Sequence, residues 1–170
     1  MKSIISSNWL RCSGTLLASA ALTLITLNVW AAPTLSTPDH ESIAKKIMAR
    51  QASKERWIQV DLKSQRLIAW EGANPVYAIV ISTGKASTPT RPGIFKIQTK
   101  VPKQRMSGAD YDLPNVPYVM FYQGNYAIHG AYWHYQFGTP VSHGCVNVAV
   151  NHASWLFDWA SVGTQVVINQ

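Results

Sequence analysis

Cysteine is nearly missing from this chain. Its 170 residues hold two, Cys12 and Cys145, with no Cys-x-x-Cys and no His-x-x-x-His beside them. A disulfide framework is thereby excluded, and a structural zinc site lacks its usual ligand spacing. Charge is sparse as well, at 14% of residues against 47% hydrophobic, which excludes a chain disordered throughout. Acidic residues are the scarcest charged class, 8 against 15 basic, for a formal net charge of +7. That balance suits an anionic partner such as nucleic acid, a lipid surface or an acidic cell wall. No basic recognition helix accompanies it, so nucleic acid is the weakest of the three. Internal repeats and low-complexity tracts are also absent, leaving one domain and a tail.

What is present begins with an export signal. Lys2 and Arg11 form a basic start, an apolar run follows from Thr15 to Trp30, and Val29-Trp30-Ala31 places small residues before a cleavage point. Ser19 and Asn28 make the run a poor membrane anchor, the alternative reading. The expectation is a signal peptide over 1–31, an exported protein of the periplasm or cell envelope, and no stable membrane span after its removal. Cys12 leaves with the signal. Removal also leaves 13 basic and 8 acidic residues, +5. Cys145 is then the lone thiol of an exported protein, either paired between molecules, buried as a small hydrophobe, or kept reactive.

Residues 32–55 read as a linker and a short helix, capped by Asp39, ending at Arg50 and striped by Ile43, Ile47 and Met48. From residue 56 to 170 the pattern is that of a mostly β domain. Trp57–Leu62 and Arg66–Trp70 form a hairpin, and Val76–Ile81, apolar on both faces, reads as a buried strand. Ile94–Ile97 is a further strand, and Lys100 to Pro117 reads as a long loop of the kind that often forms a lid. Strands resume at Tyr118–Tyr122 and Tyr126–Ile128. Asn151 caps a helix to Trp159 with Trp155 and Leu156 on its buried stripe, and Gln165–Ile168 closes the sheet.

The chemistry is concentrated in Ile128-His129-Gly130 and Ser142-His143-Gly144-Cys145-Val146-Asn147. A thiol is an effective nucleophile at neutral pH only when a neighbour stabilises its thiolate, and imidazole does so. His143 leaves the same face of an extended segment as Cys145, but side chains two residues apart rarely meet ring to sulfur. His129 arrives from another strand and is the better base. Gly144, lacking Cβ, lets its own N–H and that of Cys145 face a substrate carbonyl as an oxyanion hole. His143 is left between loop shaping and an auxiliary role. Asn147 is left between orienting substrate and tying down the loop.

These residues resemble the signature of the L,D-transpeptidase (YkuD-like) catalytic domain. The likeness spans about residues 56–170. Thr88-Pro89-Thr90-Arg91-Pro92-Gly93-Ile94-Phe95 is similar to the family's Thr-Pro-x-Gly-x-Phe turn, one residue longer than its shortest form. Trp133, Phe137-Gly138 and Pro140 are similar to its active-site loop, and Trp155–Trp159 to the helix after the cysteine. The resemblance implies a single YkuD-like domain, a curved mixed sheet with minor helices. It implies that Cys145 attacks the L,D bond between a diamino acid and a terminal D-alanine of a peptidoglycan stem peptide. D-Alanine leaves, and the acyl group passes to an amine of a neighbouring stem as a 3→3 cross-link. It further implies His129 as base, oriented by the carbonyl of Gly130, with Asp110 and Asp112 the less favoured orienters. Ser142, Asn147 and Trp133 would contact substrate, with Met106 and Tyr111 as lid residues over it. No cofactor is implied, and carbapenem-type inhibitors are expected to acylate the thiol. No wall-binding repeat is present, so anchoring would fall to the catalytic domain and its basic loop, Lys96, Lys100, Lys103 and Arg105, which also reads as a solvated charge run.

Three rival readings stand beside this one. The first is a zinc site built from His129, His143, Cys145 and His134 or His152. The second is a wall-binding module that keeps the fold without the chemistry. The third keeps the acyl-enzyme but gives it to water, as an L,D-carboxypeptidase, or to a lipoprotein lysine.

Overall fold

A computed structural model of the chain describes residues 38–170, with side chains from Glu41 onward. The signal over 1–31, Cys12, and the linker up to residue 37 lie outside the described residues. Helix α1 (Pro38–Gln51) comes first, then strands β1 (Arg56–Asp61), β2 (Arg66–Glu71), β3 (Asn74–Val80), β4 (Gly93–Lys96) and β5 (Thr99–Ser107). Next are β6 (Asp112–Gln123), β7 (Tyr126–Ala131), β8 (Val146–Ala149), helix α2 (Val150–Trp159) and β9 (Gln165–Asn169).

The strands form two mixed sheets rather than one, in the orders β3-β2-β1-β9-β4 and β5-β6-β7-β8. Period-two alternation explains how the first sheet is covered on both faces. Val166 and Ile168 of β9, with Ile58 and Val60 of β1, join the main core with Met120, Ile128, Val146 and Val148 of the second sheet. Trp57 and Val167, on the opposite face, pack with Ile43 of α1. Trp57 stacks on Trp70 at 5.3 Å and donates its indole N–H to the Gly72 carbonyl at 2.9 Å. The aromatic bulk is therefore buried with its one polar atom satisfied.

Several expectations change. Asp39 lies inside α1 rather than ahead of it, and Met48 is 69% exposed, off the buried stripe. The apolar run Val76–Ile81 supplies an edge strand, with Val80 48% exposed, because the turn at Gly72 folds β3 back onto β2 alone. Strand β9 does not close the sheet at an edge. It inserts between β1, which it pairs in parallel, and β4. Helix α2 has Ala149 at its N-cap with no side-chain cap, so Asn151 does not cap it.

The largest change is at Lys100–Pro117, which is a long hairpin of β5 and β6, not a loop. Its prolines fall where a missing N–H costs least. Pro102 lies on the edge strand β5. Pro114 and Asn115 (φ 55°) sit in an irregularity opposite Arg105, and Pro117 precedes the part of β6 that pairs with β7. The distal half of this hairpin is a two-stranded ribbon that carries Lys103 and Arg105 of the expected basic loop, whereas Lys96 ends β4 and Lys100 lies at the hairpin's base. Lys100 is not solvated there: its ammonium binds the carbonyls of Phe157 and Ala160 at the end of α2. A cation at a helix C-terminus is favourably placed. Arg105 is paired with Asp112 at 2.8 and 2.6 Å, while Lys96 and Lys103 stay exposed.

Helix α2 packs on β6 and β7 behind the strand that carries His129, through the fully buried Leu156 and Ala153. Leu156→Ala is expected to lower unfolding free energy by roughly 2–5 kcal/mol, as buried leucines do when a cavity is left. Urea denaturation followed by tryptophan fluorescence checks this; a loss within error would mean that α2 is not part of the core.

Candidate active site

Strand β7 is buried along most of its length, and its parallel pairing with β8 puts His129 opposite Asn147 and Ile128 opposite Val146. Parallel neighbours need a crossover. Here the crossover is the loop over residues 132–145, which ends at Cys145 just before β8. Sheet pairing thus brings together the two motifs that the sequence separates.

The loop is braced from behind. The carbonyl of Thr83 accepts the N–H groups of Val141 and Ser142 at 2.9 and 3.0 Å, and Lys85 N–H reaches the Ser142 carbonyl at 3.0 Å. Thr88 donates its hydroxyl to the same carbonyl at 3.1 Å. Thr90 accepts Gly84 N–H and donates to the Gly144 carbonyl, both at 2.8 Å. Gln65 holds Thr83 through its backbone N–H at 2.9 Å and its hydroxyl at 2.7 Å. The role of the threonine turn is thus to clamp the cysteine loop. Gln65, Thr83 and Thr90 were missed as site residues. The Thr-Pro turn was the one available signal, and nothing local marks Gln65.

Gly144 has φ of +113°, and a Cβ there would lie 2.5 Å from the Tyr126 ring. Glycine is required on both counts. Its N–H, however, donates to Ser142 Oγ at 3.1 Å, and Ser142 Oγ donates to the Cys145 carbonyl at 2.6 Å. The Gly144 N–H is therefore engaged with Ser142 Oγ, and Ser142 braces the loop from within. The N–H of Cys145 is engaged by no other described residue.

His129 is 3% exposed, and its Nδ1 lies 3.1 Å from the Gly130 carbonyl. Nδ1–H donates there, which leaves the Nε2 lone pair for chemistry. A side chain at Gly130 would meet Pro117 at 2.9 Å, so the backbone position is fixed by packing. Burial, only partly opposed by the Gly130 carbonyl, pushes the imidazole down to about 4. Burial pushes the Cys145 thiol up, with the backbone of Ala127 opposing it, although the residue keeps one side open to the cavity. Both groups therefore rest neutral in the unliganded site.

The other expected residues sort themselves around a cavity of about 490 Å³. Cys145, His129, Trp133, Asn147, His143, Ser142, Tyr111 and Met106 all line it. Trp133 lies 5.7 Å from the His129 ring. Asn147 is tied down, exchanging both backbone bonds with Ser82 and placing Nδ2 2.9 Å from His134 Nε2. Tyr111, at the tip of the ribbon, stacks on His143 at 4.7 Å. Asp110 reaches His143 Nε2 at 2.9 Å, and that hydrogen bond holds its carboxyl below the usual range. The carboxylate thus meets the outer histidine, not His129, and Asp112 meets Arg105. The donors of the zinc reading do not assemble: among the described residues no three His, Cys, Asp or Glu side chains converge, and His152 bonds Tyr77 at 2.8 Å. Nor is any described helix long and apolar enough to cross a membrane.

The L,D-transpeptidase catalytic domain model, YkuD, matches residues 55–168. The chain belongs to the L,D-transpeptidase (YkuD) family. YciB of Bacillus subtilis (strain 168), assigned by name as an L,D-transpeptidase, is 27% identical over 140 residues, covering 68% of this chain and 66% of YciB. An L,D-transpeptidase from Mycobacterium smegmatis superposes with a TM-score of 0.65 at 26% identity, over 68% of this chain and 59% of that one. The catalytic domain of the Enterococcus faecium L,D-transpeptidase gives 0.62 at 27% identity, over 68% of this chain and 98% of that domain. The Ldtfm-avibactam carbamoyl enzyme gives 0.63 at 27% identity, over 68% and 49%. This family member therefore matches an isolated catalytic domain almost in full, but spans less than two thirds of the longer relatives.

The burial of neutral His129 has a measurable consequence. An unfolded histidine protonates near 6.5, whereas the native one stays neutral down to about 4. The unfolded state thus binds more protons between those values, and stability falls as pH drops through that window. The cost is about 2–3 kcal/mol by pH 4.5. His129→Gln should remove that part of the acid sensitivity. Equal slopes of unfolding free energy against pH in the two proteins would contradict a buried neutral imidazole.

Proposed function

We propose that this chain is an exported cysteine acyltransferase, an L,D-transpeptidase acting on peptidoglycan stem peptides in the periplasm or cell envelope. The observation that carries the reading is the joint presence of Cys145 and His129 on one cavity wall, with His129 Nδ1 committed to the Gly130 carbonyl. A buried neutral imidazole with a free Nε2 is a base, and a buried neutral thiol needs one.

In this reading Cys145 Sγ attacks the carbonyl carbon of the L,D bond as its proton passes to His129 Nε2. The tetrahedral oxyanion forms beside the unengaged N–H of Cys145. Collapse breaks the C–N bond, and the departing D-alanine amine takes the proton from His129. The thioester is then attacked by an acceptor amine, whose proton moves through His129 to the released sulfur. Water in place of the amine gives hydrolysis, and a lipoprotein lysine gives ligation to the wall. Tyr111 and Met106 line the cavity from the ribbon, and such cover disfavours water as acceptor.

Cys145→Ser and His129→Ala are each expected to remove nearly all turnover of a tetrapeptide stem while leaving the fold intact. Because the two groups act as one unit, the double variant should be scarcely slower than either single. Multiplicative losses in product mass-spectrometry assays would remove His129 as the base.

A solved relative at 27% identity is described as an avibactam carbamoyl enzyme, which supports an acylatable nucleophile in the same fold. A carbapenem should therefore add one drug mass to Cys145 and abolish activity, with or without a chelator. An adduct that forms equally on Cys145→Ser would defeat the thiol mechanism.

A further inference from the structure

A second cleft, of about 690 Å³, lies between β4, the end of β6, the turn before β9 and α1, and shares no lining residue with the cysteine cavity. Three of its lining residues each carry a buried polar atom with no hydrogen-bond partner: Tyr122 Oη, Gln123 Oε1 and Gln165 Oε1. These are three of the five such atoms among the described residues, so the shortfall is concentrated at one place. A buried polar group without a partner is destabilising, and its occurrence needs a cause. Tyr122 is only 2% exposed, and burial, then Cys145 and Tyr126, push its phenol up, so it keeps its proton and stays a donor.

The rest of the cleft defines what would satisfy these groups. Lys46 and Lys96 flank it, and among the described residues neither has an ion-pair partner. Neither glutamine carboxamide is held by any described group, so each turns to present N–H or oxygen outward at no loss of a bond. Phe95 supplies an aromatic wall. Amides that both donate and accept suit hydroxyl groups, an aromatic face suits the apolar face of a sugar ring, and two ammonium groups without ion-pair partners favour an anion. We infer that this cleft is a second ligand site, taking a sugar unit that carries a carboxylate or a phosphate. It shares no lining residue with the cavity at Cys145.

The test is a titration of the ¹⁵N-labelled full chain with N-acetylmuramic acid, glucose 6-phosphate and N-acetylglucosamine. At least one acidic sugar should shift the side-chain NH₂ signals of Gln123 and Gln165 and the amide of Gly163 saturably. The neutral sugar should bind at least fivefold more weakly. Which acid binds more tightly distinguishes a carboxylate from a phosphate source. Lys96→Gln should weaken the acid at least fivefold. Gln165→Leu and Gln123→Leu should abolish binding without lowering Tm, because each removes an unpaired oxygen. The same shifts should appear in Cys145→Ser, so a failed transpeptidase assay leaves this result standing. No saturable shift, an equal response to the neutral sugar, or full binding by both leucine variants would overturn it.

Discussion

The parallel pairing of β7 with β8 is the constraint on which this molecule depends. In that register His129 faces Asn147 across the ladder, and the residue two before Asn147 is the thiol. A slip of one residue would turn His129 to the opposite face of the sheet. The register is specified from the face opposite His129. Ile128, Val146 and Val148 fill the inter-sheet core, and Leu156 and Ala153 of α2 close the back. Stability and the placing of the site are therefore the same set of contacts.

The cysteine end of the loop between those strands is held by hydrogen bonds. Thr83, Thr88 and Thr90 take up the carbonyls and N–H groups around Ser142 and Gly144, and Gln65 fixes Thr83 in turn. Each such bond contributes modestly, about 0.5–1.5 kcal/mol, yet an unmade one would leave a buried polar group exposed to nothing. The cost of error is what makes the loop rigid. A thiol held this way is set in place before any ligand arrives.

Electrostatics at the site follow from burial. His129 and Cys145 are both kept neutral by the protein around them, with the Gly130 carbonyl and the Ala127 backbone as partial counterweights. Charge is instead concentrated at the rim, where Asp110, Lys85 and His143 meet under the ribbon tip. His143 Nε2 lies 2.9 Å from the Asp110 carboxylate and 3.3 Å from the Lys85 ammonium. Tyr111 lies flat on the same ring.

The sequence by itself determined the family and the candidate site residues. A lone thiol in Ser-His-Gly-Cys, with a second histidine at the end of an apolar strand, pointed to the family and to the candidate residues, because those are properties of residue type and short spacing. Alternation likewise gave the β1–β2 and β6–β7 hairpins. Tertiary structure decided everything that rests on distant partners. The prolines of Lys100–Pro117 read as loop residues, yet they sit on an edge strand, in a bulge and before a central pairing, positions that exist only once β5 and β6 align. An apolar run on both faces could not reveal that β3 lies at an edge, nor that β9 enters the middle of a sheet. The φ that makes Gly144 necessary, and the Ser142 Oγ that accepts its N–H, are likewise set by the folded loop. Gln65 belongs to the site through Thr83, 18 positions away, and no local pattern encodes that distance.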